Sequence, residues 1–417
     1  MHRHGCSYSH APLSLEPRLR VQEIAPGVYM IRVEDEATRF FEALWEIPEG
    51  ITYNAYVVTG PERVVLLDTV RRGFEEEFLS ALSSIVDPRD IDAVVVHHAE
   101  PDHSGALPAV LERARRATVY AHPMARGMLE ALYGIRIESF KPVKDGMELG
   151  LGGGHRLVFL ETAWLHWPET VMSLLEPGRV LFTGDAFGAY TVPGVLVDSG
   201  DPEAFKYYTY FMRKYFATII GAYRRWVTKA LDRLETVKPK VLAPLHGMAI
   251  ERHVQEAIGL YRGWASGRLD TGRAVVVYSS MYGAVEEAVQ RIAGMLEARG
   301  LDVSVYGFTG ADRANIADLL GEVLDAGYLV VGAATYEASV FPLIWHVLDM
   351  ICSKASAGQR VLVVSSYAWG GAAARRIAEK LQGCGLDVAA VVESKGRIPG
   401  SALEEAVEKL LSTGAGL

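Results

Sequence analysis

The sequence predicts an α/β protein of two domains, the second a doubly wound parallel sheet. Three observations predict it. The chain has 417 residues, too many for one ordinary domain. Short apolar strands early in the chain run directly into loops of metal-capable residues, the place where open sheets put their ligands. Beyond residue 273, five apolar strands alternate with helical stretches, the rhythm of parallel strands joined by crossover helices.

Residues 1–19 form a polar tail whose His2, His4 and His10 stand among no apolar residues that would make a signal peptide. A first domain is expected over 20–262. Residues 20–70 read as strands and turns, with Arg63 to Thr69 a short buried strand that ends in Asp68. A helix is expected from Gly73 to Ile85. Ile91 to His97 is a second apolar strand. Helices then alternate with strands (Leu107 to Arg115, Thr118 to Ala121, Pro123 to Leu132), residues 140–195 are rich in glycine and strand, and Phe205 to Val237 reads as one helical stretch. Strand Lys240 to Ala243 leads into Pro244-Leu245-His246. Gly, Ser and Asp accumulate without periodicity over 263–272, which predicts a linker. The second domain, 273–417, carries strands at Ala274 to Tyr278, Leu301 to Tyr306, Tyr328 to Gly332, Val361 to Ser365 and Val388 to Val392.

Half of the residues are hydrophobic and 22% are charged, so large cores are available. The net charge of −9 argues against nucleic acid and anionic membrane as partners. No apolar run is long enough to span a membrane. The three cysteines, Cys6, Cys352 and Cys384, are scattered. They exclude a disulfide scaffold, a four-cysteine zinc ribbon and a fused rubredoxin or ferredoxin module, and they point to a reducing, cytoplasmic setting.

The densest chemical signal is His98-Ala99-Glu100-Pro101-Asp102-His103, four metal-capable side chains in six residues after a buried strand. Pro101 is expected to forbid regular helix and strand, letting the side chains fan around a centre. His166, Asp185 and His246 follow at separate strand ends. Buried together, these seven charged or polar side chains need metal to compensate them. If Asp185 bridges, one metal takes His98, Glu100, His166 and Asp185, and the other takes Asp102, His103, His246 and Asp185. His97 stands behind the cluster, and His122, His155, His253 and His346 read as ordinary structural histidines.

A second signal lies at three strand ends of the second domain. Ser279-Ser280-Met281-Tyr282-Gly283 joins a strand to a helix start, where backbone N–H groups and hydroxyls make an anion site. Thr335-Tyr336 and Ser366-Tyr367-Ala368-Trp369-Gly370 leave neighbouring strands, so the three loops converge on one crevice. Tyr336 and Trp369 can cover a flat ring there, and the glycines let backbone approach it.

The HxExDH loop followed by His166, Asp185 and His246 resembles the flavodiiron proteins, the diiron branch of the metallo-β-lactamase superfamily. The hydrolytic branches carry HxHxDH, and here Glu100 stands at the second His position, adding a hard anionic ligand that suits iron better than zinc. Phe41 to Leu44, Gly50 to Tyr56 and Asp185 to Gly188 also fit the family, and Asp68 stands where the superfamily keeps a carboxylate behind its ligands. The loop at Ser279 resembles the phosphate loop of flavodoxins, although Ala284 and Val285 replace the usual Asn and Thr, and Ala333-Ala334 the usual Ser-Pro. The resemblance implies an αββα metallo-β-lactamase-like sandwich followed by a flavodoxin-like domain, two irons and FMN per chain, and reduction of dioxygen to water, of nitric oxide to nitrous oxide, or both. It implies a separate electron donor (a rubredoxin, another flavoprotein or a reduced deazaflavin) and a head-to-tail homodimer or a dimer of dimers. Tyr190 and Trp45 are expected near the metal pocket. A metal-hydroxide hydrolase and a flavin carrier with a vestigial metal domain are the competing readings.

Overall fold

The computed structural model describes residues 18–412. The histidines of the tail and Cys6 lie outside the described residues. By its internal contacts the chain divides into two compact units, residues up to 211 with 232–255, and residues 212–231 with 256 onward.

The first unit begins with β1 (Arg18–Ala25) and β2 (Val28–Asp35), followed by a small hairpin of β3 (Phe40–Phe41) and β4 (Trp45–Glu46). Next come β5 (Ile51–Thr59), β6 (Val64–Leu67), helix α1 (Glu75–Ile85) and β7 (Ile91–Val96). Short helices α2 (Pro101–Ser104) and α3 (Leu107–Arg113) precede β8 (Thr118–Ala121), α4 (Pro123–Tyr133) and β9 (Phe140–Pro142). These strands form a seven-stranded sheet in the order β1-β2-β5-β6-β7-β8-β9. A second sheet of five strands follows: β10 (Glu148–Gly152), β11 (His155–Glu161), β12 (Val171–Glu176), β13 (Val180–Phe182) and β14 (Val241–Ala243). One core is shared between them: Tyr56, Val65, Leu67 and Val95 of the first sheet pack with Leu157, Phe159, Leu175 and Phe182 of the second. The alternation of buried and exposed residues along β10 marks the face that enters this core. The sandwich expected from the sequence is present, with the chemistry-bearing loops leaving its strand ends.

The long helical stretch expected from Phe205 is broken. α5 (Pro202–Tyr215) passes into a π-helical turn at Phe216–Ile220 and a short 3-10 turn at Gly221–Tyr223 before α6 (Arg224–Val237). The residues of that turn are buried, so packing sets its geometry rather than helical propensity.

The second unit contradicts one expectation at its start. α7 (Val254–Ser266) runs into the region predicted as a linker, and β15 (Asp270–Ser279) takes up its end, leaving only residues 267–269 between them. Tyr261 and Trp264 are buried against Phe216, and this burial outweighs the helix-breaking Gly263 and Ser266 nearby. Then come α8 (Ala284–Glu297), β16 (Asp302–Phe308), α9 (Ile316–Val323), β17 (Ala326–Tyr336), β18 (Ser339–Val340), α10 (Pro342–Lys354), β19 (Arg360–Tyr367), α11 (Ala373–Gly383), β20 (Asp387–Lys395) and α12 (Gly400–Leu411). The main sheet has the order β16-β15-β17-β19-β20, all parallel, with β18 paired to the end of β17. That is the doubly wound order of flavodoxin-like sheets, with its switch point at β15. The cysteine reading is corrected here: Cys352 of α10 and Cys384 after α11 form a disulfide. They are 32 residues apart in sequence, and only the packing of the two helices brings them together.

Candidate metal centre and flavin cradle

Four segments of the first unit bring the metal-capable side chains together. β7 ends at Val96, and His98 and Glu100 follow on its loop. Pro101 does not forbid helix here. It occupies the first position of α2, where a missing N–H costs nothing, and the single turn of α2 places Asp102 and His103. His166 lies in the loop between β11 and β12, Asp185 just after β13, and His246 just after β14.

The resulting geometry is two-sided about Asp185. Its Oδ2 lies 3.5 Å from His98 Nε2 and 3.2 Å from His166 Nε2. Glu100 Oε2 lies 3.0 Å and 2.9 Å from the same two nitrogens. The other oxygen, Oδ1, lies 2.8 Å from His103 Nε2 and 3.6 Å from His246 Nε2, with Asp102 Oδ2 at 3.2 Å and 3.4 Å from them. The ligand atoms therefore fall into two groups, His98, Glu100, His166 and Asp185 on one side, Asp102, His103 and His246 on the other. Both oxygens of Asp185, both of Asp102 and Nε2 of His103 are buried without a hydrogen bond. Buried polar atoms left in that state are costly, and two cations between them would satisfy the set.

Electrostatics show the same demand. Burial disfavours the His98 cation, but the hydrogen bonds to Glu100 and Glu169 and the charge of Asp185 overcome it and hold His98 well above the usual imidazole range. Burial likewise opposes His166, which Asp185 and Glu100 still push up to about 9. Against its own burial, Asp185 is held well below the usual carboxylate range by His103, His166 and His98. Without metal, protons take the place of cations.

Behind these metal-capable side chains stand groups the sequence partly revealed. Asp68 accepts the His97 backbone N–H at 2.7 Å and meets His97 Nδ1 at 2.5 Å, while His97 Nε2 lies 2.7 Å from Ser173 Oγ. His97 is thus a buried strut next to His98. Glu169, which the sequence reading missed, accepts from His98 Nδ1 at 2.9 Å and from the Ala99 N–H at 3.0 Å. Tyr190 and Trp45 sit one layer out. Tyr190 meets Phe41, whose ring is edge-on to His246, and Trp45 donates to Glu42. His122 caps α4, and His253 stacks on Phe205.

In the second unit the three loops expected to hold a flavin leave β15, β17 and β19, which are adjacent and parallel, so they lie side by side. Ser279 is buried, and the Ser280 hydroxyl accepts the N–H groups of Gly283 and Glu286. Gly283 has φ +91°, which suits glycine, and it opens α8. Met281 is partly exposed and Tyr282 is 97% exposed. Thr335 Oγ1 accepts from the N–H groups of Ala372 and Ala373, tying the second loop to the third, and Ser366 donates to Gly396 O. Tyr336 stands edge-on to Phe341, Tyr367 is partly exposed at the end of β19, and Trp369 is 79% exposed. A side chain at Gly370 would meet nothing within 4 Å, so the space beside Trp369 is open. Val285, where a phosphate-facing hydroxyl is usual, is 2% exposed and packs on Gly332 and the core of α8.

Comparison with known proteins agrees with both halves. Residues 51–247 match the model of the ODP family beta lactamases, and residues 276–410 that of flavodoxin. The chain is 32% identical to the type A flavoprotein of Rhodobacter capsulatus, over 86% of this chain and 83% of the relative. The chain belongs to the flavodiiron protein family. The nitric oxide reductase of Moorella thermoacetica is 30% identical over 88% of this chain and 91% of that one. A flavodiiron protein variant from Thermotoga maritima superposes with a TM-score of 0.89 at 34% identity, covering 95% of this chain and 99% of that one. The rubredoxin–oxygen oxidoreductase of Desulfovibrio gigas superposes with a TM-score of 0.86 at 27% identity, covering 94% and 97%. The cofactors of flavodiiron proteins, two non-haem irons and FMN, fit the two constellations: a carboxylate-bridged nest of uncompensated buried ligands, and a helix start flanked by exposed aromatic rings.

Proposed function

We infer that this flavodiiron protein reduces dioxygen to water, nitric oxide to nitrous oxide, or both. One iron is assigned to His98, Glu100, His166 and Asp185, and the other to Asp102, His103, His246 and Asp185. FMN is assigned to Ser279, Ser280, Met281, Tyr282, Gly283, Thr335, Tyr336, Ser366, Tyr367, Trp369 and Gly370. When bound, the irons supply open positions for a diatomic gas and two electrons in close succession, and the flavin collects those electrons from a donor.

The observation that carries this reading is Glu100 Oε2, placed between the Nε2 atoms of His98 and His166. A hydrolytic zinc centre favours nitrogen ligands there, whereas a carboxylate supports ferrous and ferric iron alike. The chain's part is to hold the cluster dry and fixed: Asp185 spans both positions, and Asp68, His97 and Glu169 brace the loop that carries His98.

The donor in this proposal is a separate rubredoxin, flavoprotein or reduced deazaflavin. Head-to-tail pairing of two chains would set the flavin of one beside the irons of the other. Among the described residues no helix is long and apolar enough to cross a membrane. Cytoplasmic location belongs to the proposal, and the disulfide sets its check: alkylation in intact cells, then a thiol count. The decisive experiment is iron and flavin analysis of the purified protein, with stopped-flow oxidation of the reduced protein by each gas. Two irons and one FMN per chain, with rapid oxidation by at least one gas, is the expected result. A colourless zinc protein, or a reduced protein inert to both gases, refutes it.

A further inference from the structure

The two metal positions are matched in their direct ligands. Each has two imidazoles, one carboxylate of its own and one oxygen of Asp185. A difference between them must come from what stands behind those ligands, and there the structure is lopsided. His98 turns Nε2 toward Glu100 and Asp185, so Nδ1 carries the proton, and that N–H donates to Glu169 Oε1 at 2.9 Å. Glu169 is 1% exposed, and the same oxygen is fixed by the Ala99 N–H. Across the cluster, the Nδ1–H of His246 donates at 2.7 Å to a neutral acceptor, the backbone carbonyl of Thr52. Nδ1 of His103 is buried without a hydrogen bond.

We propose that Glu169 is a positioning residue that makes the two irons unequal, giving the His98–Glu100–His166 position the tighter hold on its metal. The physical reason is charge sharing. An imidazole whose N–H is bonded to a buried carboxylate moves toward imidazolate, and its opposite nitrogen becomes a stronger donor to the metal. A peptide carbonyl does this much less. The iron on the His98 side therefore leaves last under chelation and favours the ferric state, while the iron on the Asp102 side is the labile and more easily reduced partner. This rests on the ligand assignment proposed above.

The test begins with the purified holoenzyme and a ferrous chelator under anaerobic conditions. Iron should leave in two phases. Crystals taken between the phases, measured at the iron absorption edge, should show the remaining metal at His98, Glu100 and His166. In Glu169→Gln the amide oxygen can still accept from His98 and Ala99, but the charge is gone. Its slow phase should quicken by about 10–100-fold, the usual effect of losing such a partner. A purely structural role predicts unchanged release from Glu169→Gln. That result overturns the proposal, as does residual wild-type iron on the Asp102 side or spread equally. If the variant does not fold, the wild-type occupancies decide alone. Holoenzyme with no iron on these seven ligands refutes the ligand assignment itself, an outcome distinct from two irons of equal lability.

Discussion

Gly332 lies where β17 passes under α8, and its replacement by alanine gives a test of how tightly the flavin cradle is built. A Cβ there would lie 2.8 Å from Val289 Cγ1, 2.9 Å from Val285 Cγ1 and 3.0 Å from Tyr278 Cβ. The first two are closer than real Cβ contacts come, the third is tighter than nine in ten of them, and all belong to the packed core of β15 and α8. α8 must therefore lift from the sheet, carrying with it Gly283 and the loop assigned to the FMN phosphate. Overpacking of this kind costs about 1–3 kcal/mol. Removing one of the clashing groups by Val285→Ala costs about 2 kcal/mol alone, from lost burial and a small cavity. It also makes room for the new methyl. The double variant should thus be more stable than the sum of the two changes by at least about 1 kcal/mol. Urea unfolding followed by release of FMN fluorescence measures all three proteins, and the dissociation constant of FMN should rise in Gly332→Ala and recover in part in the double variant. Strict additivity, or a Gly332→Ala protein with wild-type stability and flavin affinity, would refute the reasoning.

Three further outcomes are expected. Glu100→His should shift the metal content from iron toward zinc and lower gas reduction by about 10²-fold or more, since a preorganised charged contact is lost; equal iron and turnover in the variant would remove Glu100 as the mark of a redox site. In metal-free protein the raised pKa of His166, about 9 against 6.5 unfolded, stabilises the fold fully below pH 6.5 and loses that contribution as pH rises through 9. The melting temperature of stripped protein should accordingly fall over that window, while iron-loaded protein, whose histidines are already deprotonated, should lack this decline; parallel curves would show that His166 is not paired as described. Mixed dimers of a His166→Ala chain and a chain altered in the Ser279–Gly283 loop should regain activity that neither parent has with the physiological donor, and an inactive mixed dimer beside active wild type would exclude transfer between subunits.

The seven candidate ligands stood out in the sequence because so many metal-capable side chains at strand ends have few other uses, and the structure brings them together in two groups that meet at Asp185. The five-strand parallel rhythm was legible for a similar reason: strands buried on both faces leave continuous apolar runs. Other features depended on packing and were not. Glu169 is one acidic residue in the loop before β12, and nothing in its neighbours shows that it turns inward to His98. The helical continuity through Gly263 depends on Tyr261 and Trp264 finding Phe216, which is remote in sequence. Val285 reads as a missing phosphate contact, yet its side chain fills the space that Gly332 leaves. The Cys352–Cys384 pair carries no short-range spacing signal at all.

That crosslink has a topological consequence. The peptide between Cys352 and Cys384 holds β19, the loop with Trp369 and the whole of α11, so the third loop assigned to the flavin sits on a covalently closed ring. Closing 32 residues removes unfolded-chain freedom equivalent to about 4 kcal/mol. A protease that cuts the exposed bond beside Trp369 would open the ring without detaching anything, and the nicked molecule would keep its mass until a thiol reductant parted it. The loop carrying Trp369 can be severed and still be retained.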